Sequence, residues 1–198
     1  MYFKRTVSML LASFIVVLAF GLTYSVLSQQ PGKSAASRGE LLAADCHACH
    51  SPKIFTPTGP QPDPDRLFAG YPAGTKMPDV PEDLIAPQKW GGLFTNDLTA
   101  WVGPWGVSFG TNLTPDEETG IGNWSLDIFK EVLRTGMVHD GSRRFLPPMP
   151  TEVFPALSDS DLKDMYDYFM SLKPVANKVP DPIPPDKIGL TSPPPPGQ

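Results

Sequence analysis

Apolar and polar positions divide the chain into stretches of very different character. An uncharged apolar run extends from about Ser8 to Leu27, directly behind Lys4 and Arg5. A short polar linker, Gln29 to Ser37, leads to a helical segment at about 35–44, with Leu41 and Leu42 as its apolar side. From Ser51 to Pro104 the periodicity disappears. Two amphipathic stretches then restore it. In the first, Ser125 stands at an N-cap position, Leu126, Phe129, Val132 and Leu133 form a stripe, and Gly136 falls where a C′ residue belongs. In the second, Ser158 caps, Asp159 and Asp161 occupy the first turn, Leu162, Met165, Phe169 and Leu172 line one face, and Pro174 stops the helix.

Composition changes this picture in the middle of the chain. Of 198 residues 25 are proline, ten of them between Ser51 and Pro104. Proline fixes φ and lacks the N–H that ladders need, so this span reads as a long ordered loop insertion, with at most a short helix at 81–86. Trp90, Trp101 and Trp105 at its far end argue for order. The tail from Pro174 to Gln198, ending in four consecutive prolines before Gly197, reads as extended polyproline-like chain, lying on the domain or free.

The N-terminal run is about twenty residues, long enough for a helix across a bilayer core. Two cations ahead of it place that end in the cytoplasm and the remainder outside; a cleaved signal peptide is the rival reading. Formal net charge is −5, and leaving out Lys4 and Arg5 makes the rest −7. No basic run occurs beyond the first residues, which argues against nucleic acid as a partner. An acidic surface favours partners with a positive face.

Chemistry concentrates in Cys46-His47-Ala48-Cys49-His50. Cysteine, two residues, cysteine, histidine is the haem c attachment pattern: two thiols reach the vinyl groups and the adjacent imidazole is held beneath the iron. A disulfide between the two cysteines, a zinc site that recruits His139, and a thioredoxin-like pair compete with it. Export, the following histidine and the lack of any other cysteine favour haem c. His47, at a variable position of the pattern, reads as a surface residue. For the distal iron position Met149, in Leu146-Pro147-Pro148-Met149-Pro150, is the first candidate, because a thioether favours Fe(II) and prolines stiffen the loop. Met77, in Gly74-Thr75-Lys76-Met77-Pro78, is a decoy, and Met137, His139 or an open position are further alternatives. Core packing is the bland reading for any of these methionines. Asp116, Glu117 and Glu118 read as a solvated acidic turn sooner than a calcium site. Trp124 and Trp105 are candidates to pack near a haem or bond a propionate, core packing being at least as good a reading. Arg143 and Arg144 are further propionate candidates.

Three stretches carry a family resemblance: Arg38-Gly39-Glu40 leading to the Cys46–His50 box, Phe109-Gly110-Thr111-Asn112-Leu113-Thr114-Pro115-Asp116 through Thr119-Gly120-Ile121-Gly122-Asn123-Trp124-Ser125, and Arg134-Thr135-Gly136 through Asp140-Gly141 to the Pro-Pro-Met-Pro loop. They resemble the class I cytochrome c domains of membrane-anchored and dehydrogenase-associated bacterial cytochromes. The resemblance implies a mostly α cytochrome c-like domain with Met149 as distal ligand, although relatives in dehydrogenase complexes often carry two or three haems and this chain has one box. The expected organisation is an anchor or signal peptide at 1–30, a monohaem domain at 31–176 with the loop insertion 51–104, and a proline-rich tail at 177–198. The expected function is one-electron transfer, without catalysis, on the periplasmic face of a bacterial inner membrane. Partners would be a dehydrogenase, a quinol-oxidising complex or a terminal oxidase. The alternatives are a subunit of a larger dehydrogenase or respiratory complex, and a peroxidase-like protein with an open distal site.

Overall fold

The computed structural model describes residues 37–80 and 91–188. Helix α1 is short, Arg38–Leu42, and is capped by Ser37, whose Oγ accepts the Glu40 N–H at 3.1 Å. Five residues are too few for a helix to stand alone in water. It survives by packing on the long helix α4 near the end of the chain. Gly39 permits this: a Cβ there would lie 2.0 Å from the Asp164 carbonyl oxygen. A 3-10 turn, Ala44–Cys46, passes directly into α2, His47–His50.

The amphipathic stretches form helices as their periodicity and caps predict. Helix α3 runs Leu126–Thr135, with Ser125 Oγ accepting the Ile128 N–H and Gly136 closing it at φ 64°. Helix α4 runs Asp159–Ser171 behind a capping box in which Ser158 and Asp161 satisfy each other's backbone N–H. Phe129, Val132 and Leu133 from one, and Leu162, Met165 and Phe169 from the other, are buried. With Ala43, Phe68, Ile121 and Phe154 most of these side chains form the main core, in which Phe68 meets Phe169 edge-on at 5.2 Å.

The expectation of a mostly α domain fails. Among the described residues two sheets accompany four short helices. The loop expected at 51–104 contains a two-stranded hairpin, β1 Lys53–Thr56 with β2 Gly59–Pro62, and the first members of a three-stranded antiparallel sheet, β3 Leu93–Phe94, β4 Ala100–Gly103 and β5 Gly106–Phe109. The physical reason is that proline is excluded from central strands but tolerated on edges. Pro60 and Pro62 lie in β2, which among the described residues pairs with β1 alone, and Pro104 sits in the turn that joins β4 to β5. The ladders are two to four residues long, so alternation has no length in which to declare itself.

The expected N-terminal transmembrane helix is also not supported. Among the described residues no helix is long and apolar enough to cross a membrane, and the run from Ser8 to Leu27 lies outside them, as does the short helix expected at 81–86.

Beyond α4 the chain returns to the domain. Asn177 is buried, donates from Nδ2 to the carbonyls of Ala69 and Tyr71, and accepts the Ala73 N–H at Oδ1. Ile183 then pairs antiparallel with Val107 of β5.

The α1–α4 contact gives a test. Gly39→Ala should lower unfolding stability by about 1–3 kcal/mol, the usual scale of overpacking, read from the urea midpoint at unchanged m.

Candidate functional site

Four residues of α2 cannot hold a side chain in place alone, so the neighbours of His50 decide what it can do. The residue is buried, 7% exposed. Nδ1 lies 2.8 Å from the Thr111 carbonyl oxygen, sixty-one residues along the chain. A carbonyl only accepts, so Nδ1 carries the hydrogen and Nε2 keeps its lone pair. The His50 carbonyl in turn accepts the Gly70 N–H at 2.8 Å. Burial pushes the His50 pKa down, and Lys53 acts in the same direction, against the opposing bond to Thr111. The imidazole is therefore neutral, the form that can ligate a metal.

Two glycines make this junction possible. A Cβ at Gly110 would lie 1.9 Å from the Cys49 carbonyl oxygen, and one at Gly70 would lie 2.4 Å from that of Gly110. Gly70 also has φ 78°, where a side chain is strained.

Cys46 and Cys49 are unbridged thiols, each partly buried. Burial, with the adjacent Asp45 and Cys49, pushes the Cys46 pKa up to about 11. Cys49 is also raised by burial, but Lys53 and Trp101 oppose the rise. His47 is not the surface residue expected. It is half-buried, its ring stands 4.0 Å from that of Phe68, and its Nδ1 is 2.9 Å from Ser51 Oγ. Phe68 has φ 58°, which costs a non-glycine residue roughly 1–2 kcal/mol. Full burial of its ring contributes about 1.5–3 kcal/mol. Its N–H bonds to Ser51 Oγ and its carbonyl accepts the Leu113 N–H, so the strained conformation is outweighed.

The methionine candidates separate by location. Met149 and Cys46 both pack against the main core, whereas Met77 packs against a second cluster built on Val102 and Val107. The Met149 loop is tied to the sheet through Ser108, whose hydroxyl donates to the Pro147 carbonyl at 2.5 Å. Met137 is bridged to Arg144 across a short turn. His139 is exposed and stands against Trp124 at 5.2 Å. The Trp105 indole N–H is committed to Ser108 Oγ. Arg143 donates to the Arg144 carbonyl.

The Asn112–Trp124 motif is a folded loop with a positioning role. Asn112 is buried. Its Oδ1 accepts from the Thr114 N–H and hydroxyl, and its Nδ2 donates to Thr119 Oγ1 and to the Val175 carbonyl. Asp116 accepts from the N–H and hydroxyl of Thr119, which also holds its pKa down. Sequence reasoning missed the roles of Lys53, Phe68, Thr111 and Asn177. Gly110, Thr111 and Asn112 lay within the family-like run, which was the one available signal.

Among the described residues no three His, Cys, Asp or Glu side chains gather as a metal cluster, so the zinc reading has no ligand set there. The donor set is two thiols, one imidazole with Nε2 free and a thioether against the same core. It suits a covalently attached haem.

No family model matches the chain. It is similar to the cytochrome c subunit of a quinone-dependent alcohol dehydrogenase from Gluconobacter oxydans (strain 621H), 48% identical over 81 residues, which is 39% of this chain and 17% of that protein. It is 33% identical to the gluconate 2-dehydrogenase cytochrome c subunit of Pantoea cypripedii, over 82% of this chain and 29% of the relative. It is 32% identical to the fructose dehydrogenase cytochrome subunit of Gluconobacter japonicus, over 72% of this chain and 22% of the relative. The chain thus spans less than a third of the length of each. These relatives are cytochrome c subunits of bacterial dehydrogenases, and the expectation of a haem c electron carrier in place of a catalytic subunit agrees with them.

The unequal environments of the two thiols lead to a prediction for haem-free protein. At pH 8 a thiol of pKa about 11 is ionised to only about one part in a thousand, and the thiolate is the nucleophile. Iodoacetamide should therefore label Cys49 before Cys46, read by peptide mass spectrometry. Equal labelling or the reverse order would contradict the environments described.

Proposed function

We propose that this chain carries one haem c and passes single electrons between proteins. Cys46 and Cys49 would hold the haem through thioether links, and His50 and Met149 would ligate its iron. The observation that carries the reading is His50. Its ring is buried, its Nδ1 is committed to Thr111 and its Nε2 is free, immediately after two unbridged cysteines. When bound, the haem supplies a one-electron Fe(III)/Fe(II) couple.

The remaining work belongs to the polypeptide. Thr111 fixes the ring plane and tautomer of His50, and a hydrogen bond from the far nitrogen raises the basicity of a ligating imidazole. The core built on Phe68 and Phe129 keeps water from the apolar side chains packed against it, Cys46 and Met149 among them. Ser108 fixes the loop that presents Met149.

The electron donor is, on this reading, the catalytic part of a dehydrogenase, since the relatives are subunits of such enzymes. Its other partner is a quinol-oxidising complex or a terminal oxidase. The acidic surface favours docking partners with positive faces. The class I form of the fold is supported by the His50 box and the later methionine loop. Operation on the periplasmic side is supported by Lys4 and Arg5 ahead of the uncharged run. Met149's place against the main core favours the carrier over a peroxidase-like site with an open distal position.

Protein matured in a host that attaches haem c provides the test. Mass spectrometry should find one haem per chain. Met149→Ala should abolish the low-spin methionine-ligated ferric spectrum and lower the midpoint potential by on the order of 0.1 V, within the span of about 0.8 V that axial ligation covers. Met77→Ala should leave both unchanged. If Met77→Ala alone produced these effects, the distal assignment would be wrong.

A further inference from the structure

Lys53 opens β1 three residues after His50, and the main-chain ends of α2 converge on it. Its Nζ donates to the His47 carbonyl at 3.1 Å, to the Ser51 carbonyl at 2.8 Å and to the Ala48 carbonyl. An ammonium has three protons, and all three meet carbonyls that close the attachment turn. The last carbonyls of a helix have no partner within it, and a cation there is further favoured by the helix dipole. The His47 carbonyl also accepts the Ser51 N–H and the His50 carbonyl the Gly70 N–H, and Lys53 adds a partner for the Ala48 and Ser51 carbonyls.

Among the described residues Lys53 makes no ion pair. Asp97, the carboxylate that faces it, is occupied by the hydroxyls of Thr95 and Thr99. Lys53 is half-buried, so water screens it only in part.

We propose that Lys53 is a positioning residue for the attachment turn and that its charge raises the reduction potential of the haem bound there. The inference rests on the haem reading above. The ferric form carries one more positive charge than the ferrous form, so a fixed cation near the proximal side disfavours the oxidised state. Reduction takes one electron from the donor protein, and Lys53 itself neither gains nor loses a proton.

Redox titration of holoprotein separates the two parts of the proposal. Lys53→Arg keeps charge and donors and should titrate as the wild type. Lys53→Gln keeps a donor without charge; at the wild-type midpoint its ferric-to-ferrous ratio should rise about threefold, the scale of one partly screened unit charge. Lys53→Met should show the same shift and a lower yield of protein with both thioether links, a yield that Lys53→Gln partly recovers. Holoproteins of the Gln and Met variants that titrate at the wild-type midpoint would overturn the electrostatic role. Equal yields across the series would overturn the positioning role. Wild-type protein that takes up no haem would sink the haem reading itself, whereas a coloured wild type with an insensitive Lys53 series would sink this inference alone.

Discussion

The hydrogen bond from His50 Nδ1 to the Thr111 carbonyl is the constraint on which the site depends. Helix α2 is one turn long and has no stiffness of its own, so the imidazole is oriented entirely by chain that arrives from elsewhere. Three backbone segments, around Cys49–His50, Gly70 and Gly110–Thr111, must approach within hydrogen-bonding distance of one another. There is no room for a Cβ at either glycine. The bond fixes the tautomer, and burial fixes the charge. Together they leave Nε2 as a neutral donor, which is the chemical property that the proposed ligation needs.

Thr111 can serve as this anchor only because the loop after it is rigid. Asn112 uses its amide on three partners, Thr114, Thr119 and the Val175 carbonyl, while Thr119 is itself held by Asp116. A buried polar group satisfied at every valence specifies one conformation, since any departure leaves a donor or acceptor dry. Asn177 does the same for Ala69, Tyr71 and Ala73. Two asparagines thus hold the segments on either side of His50, and both draw the chain beyond α4 into the site.

The insertion has two structural roles beyond spacing. It sends Phe68 into the main core against His47 and Phe169, and it builds the sheet whose Ser108 reaches the Met149 loop. The proximal and distal candidates are thereby connected through one element. At its other end the same insertion supplies Lys53, which closes the attachment turn from behind.

The local features were legible in the chain itself. Ser125, Gly136, Ser158 and Asp161 mark helix ends because capping acts over three or four residues. Leu162, Met165 and Phe169 mark a buried face because helical periodicity repeats within one element. The Cys46–His50 spacing states its donor chemistry for the same reason. What depended on distant pairing was not legible. Strands of two to four residues among prolines carry no readable alternation, and their ladders form between positions that only folding brings together. Prolines on both sides of Met149, against Pro78 alone beside Met77, already ranked the two in the sequence. Which apolar cluster each packs on was not legible: Met77 lies against the cluster of Val102 and Val107, Met149 against the main core. His47, Phe68 and Lys53 acquired their roles in the same way, since a side chain's partner is set by whichever backbone arrives beside it. Local chemistry along the chain set the donors and the capped helices, and the pairing of distant segments set what surrounds each donor.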